Sequence, residues 1–63
     1  MTTKTYYFPR NQIGRYIINY IVAHVGCSVG EIRRVADTLA VPFTIPTRDV
    51  VRVERILQMY DLL

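Results

Sequence analysis

Cys27 is the only cysteine and His24 the only histidine in a chain of 63 residues, so the fold has no covalent or metallic staple to rely on. One thiol cannot close a disulfide within the chain. Nor can one thiol and one imidazole supply the four ligands of a structural zinc site. A domain this short buries a smaller share of its surface than a larger one does, which leaves its core marginal. Oligomerisation is the remaining route to extra core, and a homodimer is expected. No cofactor and no metal are expected.

Hydrophobic residues make up 51% of the chain, which excludes a disordered basic tail, and with the net charge of +3 this implies a compact basic domain. Seven of the eight basic residues are arginine. That preference suits bidentate contact with phosphate or guanine, although high genomic GC content or a hot habitat biases a sequence the same way. The opening MTTKTYYFPR lacks the apolar centre of a secretory signal, and the apolar run from Tyr16 to Val25 is too short to span a bilayer. A soluble, cytoplasmic (intracellular) protein with no membrane partner is expected.

Four segments can be told apart. Thr2 to Phe8, rich in threonine and aromatics and closed by Pro9, predicts a short strand or extended arm over residues 1–9. From about Arg10 to Val25 the apolar spacing predicts a helix ending at Gly26, with Ile13, Ile17, Tyr20, Ile21 and His24 facing inward. Ile18, Val22 and Val25 lie further round that helix, beyond what two short partner helices can cover, and form the predicted dimer interface. Ser28-Val29-Gly30-Glu31 has the form of a capping box and predicts a helix from Val29 to about Ala40, with Ile32, Val35, Ala36 and Leu39 inward and Arg33 and Arg34 outward. Ala40 to Pro46, with its prolines and β-branched residues, reads as a connection. A last helix capped by Thr44 or Thr47 runs to the C-terminus with Val50, Val53, Ile56, Leu57 and Tyr60 buried. The domain boundaries are therefore an arm at 1–9 and a three-helix unit at 10–63.

Arg48, Arg52 and Arg55 recur at helical spacing on the far side of that last helix and form one basic ridge. A charge run is most often a solvated face. Its place after a helix-turn unit favours contact with nucleic acid. His24, amid an apolar face, reads as a core residue, and Cys27 as a small buried hydrophobe. The acidic residues show no paired spacing, and no Gly-rich phosphate loop follows a strand, so no enzyme is expected. Tyr6, Tyr7 and Phe8 beside Lys4 and Arg10 offer rings for stacking on unpaired bases, but packing into the core is the preferred reading.

On Gly26-Cys27-Ser28, Glu31-Ile32 and the leucine-rich Leu57 to Leu63, the stretch from Tyr16 to Leu63 resembles the three-helix core of the winged-helix family of DNA-binding domains. The resemblance implies a mainly α helix-turn-helix fold in which the segment with Thr47, Arg48, Arg52 and Arg55 is a recognition helix in the major groove. Arg33 and Arg34 would position the backbone, and Lys4 and Arg10 of the arm would replace the family's wing. Tyr6 to Ala36 more weakly resembles a ribbon-helix-helix protein: a strand, a proline, a helix, then Gly26-x-Ser28-x-x-Glu31-Ile32-x-Arg34. That would pair the strand with its dimer mate and turn Lys4, Tyr6 and Phe8 toward the groove. Both resemblances imply a double-stranded DNA partner and a small transcriptional regulator or architectural protein. The alternative is an interaction module of a larger protein complex, docking through Val51, Met59 and Leu62.

Overall fold

In the computed structural model, which describes residues 1–63, Thr2–Pro9 is a full strand, β1, and its alternation decides its two faces. Tyr6 and Phe8 are buried while Thr3, Thr5 and Tyr7 stand in solvent on the opposite side. β1 pairs antiparallel with a later strand of equal length, Thr38–Ile45, matching Tyr6 with Val41 and Phe8 with Leu39. The inward residues of that later strand, Val41, Phe43 and Ile45, are fully buried. Phe43 takes both aromatic rings of β1 against its own, with centroids 6.0 Å from Tyr6 and 5.8 Å from Phe8 in tilted geometry.

The helix predicted from Val29 to Ala40 is absent, and with it the three-helix helix-turn-helix fold. Ser28–Val29 (β2) and Arg33–Val35 (β3) are strands, and Thr38–Ile45 (β4) is the central strand of an antiparallel sheet with β1 on one side and β2 and β3 on the other. The ribbon-helix-helix resemblance fails at the same place, since its second helix falls on these strands. Ser28 pairs with Thr44 instead of capping, and Gly30 donates its N–H to the Pro42 carbonyl at 2.8 Å. Between β3 and β4 the chain reverses over Ala36 and Asp37, with Ala36 in the left-handed region at φ 53° and the Thr38 hydroxyl donating to the Val35 carbonyl at 2.7 Å. A capping box is worth about 1 kcal/mol; burying Val41, Phe43 and Ile45 is worth about 1.5–3 kcal/mol for each side chain. Tertiary burial outweighs the local signal.

Pro42 in a central strand is tolerated for a geometric reason. Within an antiparallel strand the N–H and C=O of one residue point the same way, so the Pro42 carbonyl that accepts from Gly30 shows that its ring nitrogen also faces the β2–β3 side. No donor exists there, and the neighbouring strand breaks into β2 and β3 around residues 30–32.

Gln12–Val25 (α1) matches the predicted helix. Asn11 caps it, accepting from the Gly14 N–H at 3.0 Å, and Gly26 closes it at φ 76° with its N–H on the Val22 carbonyl at 3.1 Å. Its buried face is Gly14, Ile17, Ile18, Ile21 and Val25, whereas Ile13 and His24 are exposed and the His24 ring stacks on Tyr20. The face is rotated because α1 lies on a sheet. For the same reason Ile18 and Val25 lie inside the protomer's own core, with Val22 packed against it, and these residues do not form the free flank that the dimer interface requires.

A turn of 3-10 helix at Thr47–Asp49 leads into Val50–Met59 (α2), which buries Val53 and Leu57 and leaves Tyr60 partly in solvent. Asp61 at φ 57° ends it, and the Leu62 N–H returns to the Leu57 carbonyl at 2.8 Å while its side chain packs on the core. Both helices cover the face of the sheet that carries Tyr6, Phe8, Val41, Phe43 and Ile45.

Gly14 is where α1 meets the end of β1 most closely, and a Cβ there would fall on the Pro9 carbonyl oxygen. Because backbone cannot yield as a side-chain tip does, Gly14→Ala is expected to destabilise the fold by at least about 1–3 kcal/mol in urea unfolding. A change within about 0.5 kcal/mol, ordinary for a surface site, would show that α1 does not enter the core at this angle.

Candidate nucleic-acid interface

Of the seven arginines, only Arg48 and Arg52 have a carboxylate within 4.0 Å, and the other five differ in where the fold places them. On the α2 side, Arg48 Nε and Arg52 Nη1 each lie 4.0 Å from the same Asp49 carboxylate, and Arg52 Nη2 donates to the His24 carbonyl at the C-terminal end of α1, 3.5 Å away. Two members of the sequence-predicted ridge thus have a carboxylate at the outer limit of ion-pair distance, and the exposed Arg55 has none. Thr47 is occupied with the Thr2 hydroxyl at 2.9 Å.

Lys4 is held elsewhere. Its ammonium donates to Glu54 Oε2 at 2.8 Å, and the Tyr6 hydroxyl donates to the same oxygen at 2.8 Å. This clamp ties α2 to β1. The Lys4 hydrogen bond, then that of Tyr6, holds the Glu54 carboxyl below the usual range. Burial first, then the Glu54 carboxylate, pushes the Tyr6 phenol far up, so it remains a neutral donor. Arg33 pairs with Ala40 and belongs to the sheet face away from the helices.

Arg10 and Arg34 are brought together. Arg10 follows the end of β1, and Arg34 lies opposite Leu39 on the helix-bearing side of the sheet, where the β3–β4 hairpin reaches the start of α1. With Arg15 from the first turns of α1, and with Asn11 and Gln12, they line an open cleft of about 330 Å³ containing no acidic side chain. None of the three arginines has a carboxylate within 4.0 Å, in contrast to Arg48 and Arg52. The backbone adds to the positive field, since Asn11 satisfies Gly14 and leaves the Gln12 and Ile13 N–H groups without helical partners. Sequence reading gives Arg15 no functional role. Its spacing from Arg10 across the Asn11 cap is the signal that would have found it.

A second open cleft, sharing Arg15 with the first, lies beside α1. Beyond Arg15 its walls are Ile18, Asn19, Ile32 and Leu39, enclosing a further 390 Å³ or so with a largely apolar floor.

Cys27 is buried, with its thiol directed at the Ile21 carbonyl 3.8 Å away, and burial pushes it up from the ordinary thiol range. That suppresses the thiolate a nucleophile needs. The structure contains no group of three or more His, Cys, Asp or Glu side chains placed to hold a metal ion. No helix is long and apolar enough to cross a membrane. No family model, curated protein or solved structure matches the chain.

Because the Glu54 carboxyl is depressed in the folded chain, its contribution is present above the ordinary glutamate range near 4.3 and is lost as pH falls through the lower folded value. Melting temperatures measured from pH 7 to pH 3 should therefore fall less steeply for Glu54→Gln than for the wild type. Parallel curves would remove the clamp as a contributor to acid sensitivity.

Proposed function

We propose that this chain is a non-enzymatic DNA-binding protein that grips backbone phosphates in the Arg10–Arg15–Arg34 cleft. The observation that carries this reading is three guanidinium groups gathered in one cleft with no carboxylate to neutralise them. Such a grouping repels itself in the free protein, and an entering phosphate relieves the repulsion. Guanidinium planes present paired N–H donors that match two phosphate oxygens, and the N-terminus of α1 beside them favours negative charge. The net charge of +3 attracts a polyanion at longer range.

The α2 ridge is the weaker phosphate site on the same criterion. Arg48 and Arg52 already share Asp49, and a phosphate arriving there must compete with a carboxylate. Arg55 remains available as an accessory contact.

An accessory-subunit role would draw on the exposed apolar side chains of α2. Val51 and Met59 are exposed, while Leu62 packs on the core and is not offered to a partner. This surface has no accompanying charge pattern that selects an occupant.

Salt-dependent titration against random-sequence DNA separates the two basic surfaces. Arg10, Arg15 and Arg34 are all exposed, so replacing them with alanine should leave the circular dichroism spectrum unchanged. The slope of log affinity against log salt is expected to shrink by roughly 0.7–0.9 for each phosphate that is no longer gripped. The Arg48→Ala/Arg52→Ala/Arg55→Ala protein is expected to keep most of its affinity. Unchanged binding by the cleft variant, with weakened binding by the α2 variant, would move the site to the ridge.

A further inference from the structure

Arginine and apolar side chains adjoin on both walls of the groove beside α1. On the helix wall Arg15 is followed one turn later by Ile18 and Asn19. On the sheet wall Arg34 stands opposite Leu39, with Ile32 two residues before it on the side away from the hairpin turn. The helix wall passes from arginine to apolar away from the β3–β4 turn, while on the sheet wall Leu39 stands level with Arg34 and Ile32 lies farther from the turn. Arg15 lines both halves of the groove.

We infer that this groove receives one unpaired nucleotide of a DNA strand, with its phosphate among Arg10, Arg15 and Arg34 and its base on the apolar floor of Ile18, Ile32 and Leu39. The inference rests on the phosphate reading of the same cleft and adds the state of the strand. Charge selects the phosphate for one end only. Side chains one helical turn apart are about 5–6 Å from each other at Cβ, a separation suited to the sugar that joins a phosphate to its base. A base presents a flat apolar face to the floor, and the Asn19 amide, which both donates and accepts, stands at the rim for the polar edge. Ile32 is 45% exposed at the edge of the sheet, where a base would cover it. A base stacked and paired inside a duplex cannot reach the floor, so the site favours single-stranded or unstacked DNA.

Two probes of equal charge decide the matter: octathymidylate, and a chain of the same length made of abasic deoxyribose phosphates. At one fixed salt concentration the wild type is expected to bind octathymidylate about 5-fold more tightly, the low end of the range for a base on an aromatic ring, because this floor is aliphatic. Asn19→Ala and Ile32→Ser alter exposed positions. Each is expected to weaken octathymidylate binding while leaving the abasic chain and its salt slope unchanged. Equal wild-type affinity for both chains, or an equal loss on both in the variants, would overturn the nucleotide site and leave the phosphate cleft standing. Failure to bind either chain would overturn both. Should Ile32→Ser not fold, the two probes on Asn19→Ala and the wild type still separate these outcomes.

Discussion

The register that sets Tyr6 against Val41 and Phe8 against Leu39 is the constraint on which the rest of this molecule depends. Side chains alternate along a strand, so a slip of one residue would carry Tyr6 and Phe8 to the open face and bring Thr5 and Tyr7 inside. The ring of Phe43, held between Tyr6 and Phe8, makes that slip costly. Once the register holds, the apolar face it creates is what α1 and α2 bury, through Ile17, Ile21, Val53 and Leu57. It also fixes where β1 ends, and Arg10 therefore emerges beside Arg34 on the neighbouring hairpin.

Pro42 shapes the other side of the sheet. By withholding a donor it divides the neighbouring strand, and the segment around Ile32 leaves the hydrogen-bonded ladder. The groove along α1 opens beside this division, with Ile32 and Leu39 as part of its wall. A proline that looks like a breaker in the sequence thus contributes to a recess in the fold, and charge is distributed to match. Asp49 and Glu54 occupy Arg48, Arg52 and Lys4 near α2, and three of the five unpaired arginines, Arg10, Arg15 and Arg34, lie at the mouth of the groove.

What the sequence made legible was local. Asn11 and Gly26 bracket α1 with caps that act within a few residues, and α2 carries its periodicity in Val50, Val53 and Leu57. The strand at Thr2 to Phe8 could be seen from composition. Residues 28–45 could not, because Ser28-Val29-Gly30-Glu31 reproduces a helix signal and Pro42 reads as a terminator, while the forces that decide the matter come from β1, more than thirty residues away. Misreading that stretch also misplaced the charges: as a helix it puts Arg33 and Arg34 together in solvent, whereas a strand sends them to opposite faces and leaves only Arg34 at the cleft. The inward-facing sheet likewise absorbs Ile18 and Val25, which a helical bundle would have left bare.

An anion held between the start of α1 and the hairpin arginine is the centre of the proposed mechanism. Its most direct test is a nuclear magnetic resonance titration that follows the arginine Nε–Hε groups and the backbone amides as a short DNA strand is added. Saturable shifts are expected at Arg10, Arg15 and Arg34 together with the Gln12 and Ile13 amides, and little movement at Arg48 and Arg52. Shifts confined to α2, or spread over all seven arginines with no change at Gln12 and Ile13, would contradict it.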